Sequence, residues 1–271
     1  MTQPNASGAA PSFHGLGIAP KLLDILARHK YVSPTPIQHK SIPVSIEGKD
    51  MIGIAQTGTG KTLAFGVPML QRLAIHKGRG LALLPTRELA LQVDEQLHKI
   101  GKDLGIRTAV LIGGASMRVQ IEELRRNPHV IVATPGRLID HLERRTVDLS
   151  DVKILVLDEA DRMLDMGFLP SIKRILAKLP KQNRQTLLFS ATFEDNIRQL
   201  ALEFMRNPEQ IQVTPKNTVA ETITHRVHPV DAGRKRDLLL HLLAQDSRQQ
   251  TLVFARTKHG SDKLATFLEK S

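Results

Sequence analysis

The chain has 271 residues, 41% of them hydrophobic and 24% charged, and 38 Lys and Arg against 27 Asp and Glu give a net charge of +11. Disorder over most of the length is excluded, no apolar run is long enough to span a bilayer, and a chain without cysteine has no disulfides, thiolate metal sites or cysteine nucleophiles. A cytoplasmic protein is expected, and the cationic excess favours a polyanion such as nucleic acid, the alternative being a basic enzyme without one.

Up to Pro11 the chain is small, polar and uncharged, unlike a secretory leader. A helix is expected at Lys21–Arg28, and then strands at Met51–Ala55, Gly80–Thr86, Thr108–Gly113, His129–Thr134, Lys153–Leu157, Thr186–Ser190 and Gln210–Thr214. Between them, apolar spacing fits helices at Leu63–Leu70, Arg87–Ile100, Met117–Arg126, Gly136–Arg145, Ser171–Lys178 and Asn196–Met205. The strands are nearly continuous apolar runs (LALL, ILVL, TLLF), as expected when helices cover both faces of a sheet. Such alternation predicts an α/β fold, a doubly wound parallel sheet. From Pro215 to about Glu221 the periodicity lapses, which reads as a linker. Strands at Ile223–Val230 and Gln250–Ala255, with helices at Lys235–Leu243 and Gly260–Glu269, then begin a second α/β unit. That unit is small for independent stability, so the chain is expected to end inside it, and its unpaired edges make self-association an expectation.

Ala55–Thr62 reads AQTGTGKT, between a strand and an apolar helix, which is the setting of a phosphate-binding loop. Gly58 and Gly60 let the backbone wrap phosphates, Lys61 reaches the β- and γ-phosphates, and Thr62 offers a hydroxyl to Mg²⁺. The strict pattern begins with Gly where this chain has Ala55, a position that ends the strand. Lys153–Asp161 reads KILVLDEAD, a buried strand with carboxylates at its C-terminal end, where ligands bind in open α/β sheets. Asp158 is expected to hold Mg²⁺, partly through water, and Glu159 to orient and deprotonate the attacking water. Together the two motifs point to a nucleoside triphosphatase.

PTPIQ (Pro34–Gln38), AQTGTGKT, PTRELA (Pro85–Ala90), GG (Gly113–Gly114), TPGR (Thr134–Arg137), DEAD (Asp158–Asp161) and SAT (Ser190–Thr192) occur in that order. On these motifs the chain, from about Phe13 to Thr214, resembles the N-terminal RecA-like domain of DEAD-box ATP-dependent RNA helicases. The segments around them, with LVFARTKHG (Leu252–Gly260), are most similar to the bacterial RhlE-like branch. The resemblance implies a RecA-like P-loop NTPase sheet followed by an incomplete second RecA-like domain. Its boundaries would be 1–40 for an N-terminal extension and adenine-recognition motif, 41–214 for the ATP-binding domain, 215–222 for the linker and 223–271 for the second domain.

The amide of Gln38 suits the N6 and N7 edge of adenine, which guanine reverses, and the ring of Phe13 could stack on the base. The resemblance gives both positions adenine specificity, so ATP is implied; for Phe13, a core aromatic pinning the terminus is the alternative. Lys30 stands where the family usually has Gly before the aromatic at Tyr31. Gln56, Thr57 and Thr59 join the ATP site as members of its loop. By resemblance, Thr86, Arg87, Gly114, Thr134 and Arg137, with Gly167 and Phe168 nearby, would grip an RNA backbone, largely without sequence preference and less tightly in salt. An ion pair with the adjacent helix is the other reading of Arg87. The hydroxyls of Ser190 and Thr192 would bond to the Asp158–Asp161 region and couple the nucleotide to domain closure, or serve a local turn.

The histidines are scattered singly, and His225 and His228 have no ligand set to complete a metal site. Arg234–Lys235–Arg236 reads as a solvated helix start, with RNA contact as the lesser reading. In the resembling family, arginines of the second domain stabilise the phosphoryl-transfer charge, and their motif has no counterpart in these residues. The chain alone is therefore expected to bind ATP but hydrolyse it feebly and not to unwind a duplex. A DNA-directed relative and a non-catalytic RNA- or partner-binding fragment are the competing functions.

Overall fold

The computed structural model describes residues 11–213, 224, 226–245 and 250–270, and the chain divides into two compact units, Met1–Asn217 and Thr218–Ser271. The first unit begins with helices α1 (Pro20–Arg28) and α2 (Pro36–Ile46), each entered through a proline whose missing N–H costs nothing there. Strands and helices then alternate: β1 (Met51–Ile54), α3 (Lys61–Ile75), β2 (Arg79–Leu83), α4 (Arg87–Gly101), β3 (Thr108–Leu111), α5 (Met117–Arg125), β4 (Val130–Ala133) and α6 (Pro135–Glu143). The remainder runs β5 (Val152–Leu157), α7 (Ala160–Asp165), α8 (Leu169–Leu176), β6 (Gln185–Ser190), α9 (Asp195–Phe204) and β7 (Glu209–Gln212).

The strands form one parallel sheet in the order β3-β4-β2-β5-β6-β1-β7. Because successive side chains of a strand point to opposite faces, each apolar run feeds two cores. Ala82, Val132, Val156, Leu187 and Phe189 enter one core, with Leu22, Ile42, Phe65 and Leu97 from α1 to α4. Their neighbours Leu83, Ile131, Leu155 and Leu188 enter the other, with Leu138, Met163, Ile172 and Leu200 from α6 to α9. Each of these side chains larger than alanine contributes about 1.5–3 kcal/mol on burial. Gly53 in β1 has no side chain because Phe189 of β6 lies where one would be: a Cβ there would come within 2.7 Å of the ring. Phe189 in turn packs on Phe65 of α3, with ring centroids 5.6 Å apart.

With all strands parallel, all C-terminal ends share one edge of the sheet. The loops after β1, β5 and β6 lie on neighbouring strands at one end of that edge, and the loops after β2, β3 and β4 lie at the other. This order divides the candidate residues into two groups.

In the second unit the described residues form helices α10 (Lys235–Gln245) and α11 (Lys258–Glu269), the latter capped by Thr257, whose hydroxyl oxygen accepts from the Gly260 N–H at 3.0 Å. The strands expected at 223–230 and 250–255 are not present among the described residues there. A strand persists only as part of a ladder. Leu252–Ala255 has none among the described residues, and Phe254 is 87% exposed. Pro215–Glu221, Thr214 and His225 lie outside the described residues.

Candidate functional site

At the first end of the edge, Ala55 is buried and its N–H donates to the Ser190 carbonyl at 2.9 Å, continuing the β1–β6 ladder. That explains why the strict pattern's glycine is dispensable here: the residue belongs to the sheet. The chain then turns through Gly58 (φ +82°) and Gly60 (φ +90°) into α3, and the Thr59 hydroxyl donates to the Gln56 carbonyl at 2.6 Å, hooking the loop closed. The two glycines are required for different reasons. A Cβ at Gly58 would meet nothing within 4 Å among the described residues, whereas one at Gly60 would collide with the Gln38 amide nitrogen.

Lys61 opens α3, and its ammonium is buried with no hydrogen-bond partner among the described residues, 3.7 Å from an Asp158 carboxylate oxygen. A buried ammonium without acceptors carries a large desolvation cost, which an anionic phosphate would relieve. Asp158 follows β5, and its N–H continues the ladder to Leu83 at 3.0 Å while its carboxylate accepts from the Glu159 N–H at 2.9 Å. Burial pushes its carboxyl up to about 6; the Lys61 charge opposes the rise and Glu159 adds to it. A divalent cation would hold this carboxyl in its ionised form. The buried carboxylate and the half-buried Thr62 hydroxyl are hard oxygen donors, so the residues fit Mg²⁺. Among the described residues no cluster of three or more His, Asp or Glu is placed to hold a metal, so a cation here would take its remaining ligands from phosphate and water.

Glu159 sits at φ +53°, capping α7, and is buried. One carboxylate oxygen accepts from the Thr57 hydroxyl at 3.1 Å, and the other pairs with the Arg162 guanidinium at 3.2 Å. Each oxygen keeps a second lone pair for a water. The next carboxylate, Asp161, faces β6: one oxygen accepts from the N–H groups of Ala191 (3.1 Å) and Thr192 (3.0 Å) and from the Thr192 hydroxyl (3.3 Å). The Asp161 N–H donates to the Ser190 hydroxyl at 3.3 Å. SAT and DEAD are thus tied together by four hydrogen bonds through one residue.

Gln38 is buried on α2, and both ends of its amide are used within the protein. Its oxygen accepts from the Thr35 N–H and its nitrogen donates to the Gly60 carbonyl, both at 2.9 Å. One N–H and one lone pair remain for a base. Phe13 is buried in the first core with Leu16, Ile18 and Leu22, which fits its reading as a core aromatic; a base stacked on it would share the ring with that packing.

At the other end of the edge, a cavity of about 560 Å³ is lined by Thr86, Arg87, Gly113, Thr134, Arg137 and Phe168, among others. Thr86 caps α4, its hydroxyl accepting from the Leu89 N–H at 3.3 Å. The exposed Arg87 lies over the glycine pair: a Cβ at Gly114 (φ +76°) would collide with its guanidinium. Among the described residues Arg87 is in no ion pair. Arg137 donates to the Ala115 carbonyl at 3.0 Å and pairs with Asp140 at 3.4 Å. Gly167 turns at φ +79° ahead of Phe168, which caps α8. The structure therefore gathers Thr86, Arg87, Thr134, Arg137 and Phe168 around one cavity, with Gly114 beside it under Arg87. The links Thr57–Glu159 and Gln38–Gly60 were not foreseen from sequence, because each joins segments far apart in the chain.

Residues 35–200 match the family model for the DEAD/DEAH box helicase. The chain is 44% identical over 259 residues to the "DEAD-box ATP-dependent RNA helicase CshA" of Bacillus cereus (strain ATCC 10987 / NRS 248), covering 95% of this chain and 49% of that protein. It is likewise 44% identical to the "ATP-dependent RNA helicase CshA" of Listeria monocytogenes, over 95% of this chain and 50% of the relative. The chain thus spans about half the length of these relatives. A solved structure, of a DEAD box protein from the hyperthermophile Methanococcus jannaschii, superposes with a TM-score of 0.71 at 32% identity, covering 96% of this chain and 70% of the other.

Proposed function

The chain belongs to the DEAD/DEAH box helicase family, and on that premise we propose that it binds ATP at the β5-β6-β1 end of its sheet edge and an RNA backbone at the β3-β4-β2 end. One observation carries the ATP assignment: the buried ammonium of Lys61, without a hydrogen-bond partner among the described residues, stands 3.7 Å from the buried Asp158 carboxylate at the end of a glycine-turned loop. Gln38 favours adenine through its spare donor and acceptor. The residues Gln56 to Thr62 wrap the phosphates, and Thr62 and Asp158 would hold Mg²⁺, which would neutralise charge on the phosphates when bound. Glu159 takes the proton of the attacking water, and Thr57 and Arg162 hold its carboxylate in place until then.

Coupling runs through Asp161. Any shift of the DEAD turn moves Ser190, Ala191 and Thr192, because four hydrogen bonds tie that turn to β6. Arg87, Arg137, Thr86, Thr134 and Gly114 present guanidinium, hydroxyl and backbone groups suited to phosphates rather than bases, so binding is sequence-independent. The work is that of an ATP-dependent RNA helicase, in the cytoplasm, and the second unit begins a second RecA-like domain that can pair with another copy. No helix among the described residues is long and apolar enough to cross a membrane.

By themselves these 271 residues bind ATP but hydrolyse it and separate strands weakly. Arg162, the guanidinium beside the reacting centre, is tied to Glu159. An arginine aimed at the γ-phosphate is worth about 10³–10⁵ in turnover. Steady-state ATP hydrolysis by this chain, with single-stranded RNA, with DNA and with neither, tests the proposal. Measurable ATP binding with slow turnover, raised by RNA more than by DNA, is expected. A chain that does not bind ATP sinks the assignment, and duplex separation at catalytic concentration sinks the claim of weak activity.

A further inference from the structure

Helix α5 buries one residue, and it is a glutamine: Gln120 is 3% exposed. A buried amide is costly unless its groups are bonded, and here they are. Its nitrogen donates to the Ile112 carbonyl at 3.0 Å, immediately before the Gly113–Gly114 turn. Its oxygen faces Nε2 of His141 at 3.1 Å, and Nδ1 of that ring lies 2.8 Å from the Thr146 hydroxyl. His141 is fully buried on α6, the helix whose first turn carries Thr134 and Arg137.

The directions of these bonds follow from one another. With the Gln120 nitrogen committed to a carbonyl, its oxygen must accept, so Nε2 carries the ring proton. Burial and the Arg137 charge favour the neutral ring, so Nδ1 accepts from Thr146. The single Thr146 proton then goes to Nδ1 rather than to the His141 carbonyl at 3.1 Å. The relay thus runs from Thr146 through His141 and Gln120 to the root of the glycine turn. It joins that turn to α6 from beneath, while Arg137 bonded to Ala115 joins them at the surface.

We infer that Gln120 and His141 are positioning residues for the RNA-binding surface, setting the glycine turn and the start of α6 at the separation needed to grip successive backbone groups. The inference rests on the proposed reading of that surface. Neither residue lines the cavity or touches the nucleotide loop, so their effect should fall on RNA affinity alone. A directional network of this kind specifies geometry more than it adds stability.

The test measures binding of a fluorescently labelled single-stranded RNA oligonucleotide and of ATP by the same preparations. Gln120→Leu should weaken RNA binding by about ten-fold, the scale of one or two neutral hydrogen bonds, with ATP binding unchanged. The double variant Gln120→Leu/His141→Leu replaces the relay with apolar contact; it should regain thermal stability over either single variant but not RNA affinity. If the single variant does not fold, the double one carries the test. RNA affinity that is unchanged in folded Gln120→Leu, or that returns with stability in the double variant, overturns the inference. Should the unaltered chain bind ATP but no RNA, the reading of the surface falls and this inference with it, a result visible before any variant is made.

Discussion

The two ends of the sheet edge are built from the same materials and use them in opposite ways. At the β5-β6-β1 end the charged groups are taken out of water: Lys61, Asp158 and Glu159 are all buried, and among the described residues the ammonium of Lys61 lacks a hydrogen-bond partner. At the β3-β4-β2 end Arg87 is exposed over a glycine pair with an open cavity beside it, while the side chain of Arg137 is mostly covered. Phosphoryl transfer requires charges strengthened by low dielectric, whereas holding a backbone of any sequence requires accessible donors in a fixed register. In the proposed reading one sheet serves both, because its strand order separates the two sets of loops.

The largest effect expected belongs to the buried end. Glu159→Gln should lower ATP turnover by about 10²–10⁴ while ATP and RNA affinities, measured separately, stay near those of the parent. A fall in RNA affinity would blur the division. The two loop glycines allow a finer cut. Alanine at either carries the left-handed penalty of about 1–2 kcal/mol, or roughly ten-fold in ATP affinity. Gly60→Ala should cost more, since its Cβ also displaces Gln38; equal losses in calorimetric titration would mean that the Gln38 bond is unimportant.

The pH dependence should also divide the two ends. Burial raises the Asp158 carboxyl to about 6, so lowering the pH through that value protonates the group proposed to hold Mg²⁺ in its ionised form. Affinity for Mg²⁺ and ATP should therefore be full above pH 6 and fall below it, by at most about ten-fold per unit for one proton. RNA affinity should show no step there from this group. The smallest effect is expected at the exposed end. Arg87→Ala and Arg137→Ala should each weaken RNA binding nearly equally across sequences and reduce the slope of log affinity against log salt by about 1.

Much of this was legible in the sequence. The runs LALL, ILVL and TLLF are strands because an apolar run between helices has to face both cores, and the ends of β1 to β6 fall within three residues of those expected. Apart from PTPIQ, which opens α2, the site motifs could be placed because each stands at the C-terminal end of a strand. What lay hidden was long-range. Nothing local to Gln38 announces that its amide will bond Gly60, or to Thr57 that it will hold Glu159. The pairing of Gln120 with His141 was missed for the same reason: a polar residue on a largely exposed helix reads as solvated until the neighbouring helix is in place. Leu252–Ala255 shows the converse, a run with strand composition and no ladder among the described residues to make it one.

The division itself is tested most directly by measuring, in one chain, ATP affinity and nucleotide-free RNA affinity for Lys61→Ala and for Arg87→Ala/Arg137→Ala. Lys61→Ala should lose ATP binding and keep RNA binding, and the double arginine variant should do the reverse. Loss of both affinities in either variant, or RNA binding untouched by removal of both arginines, would contradict it.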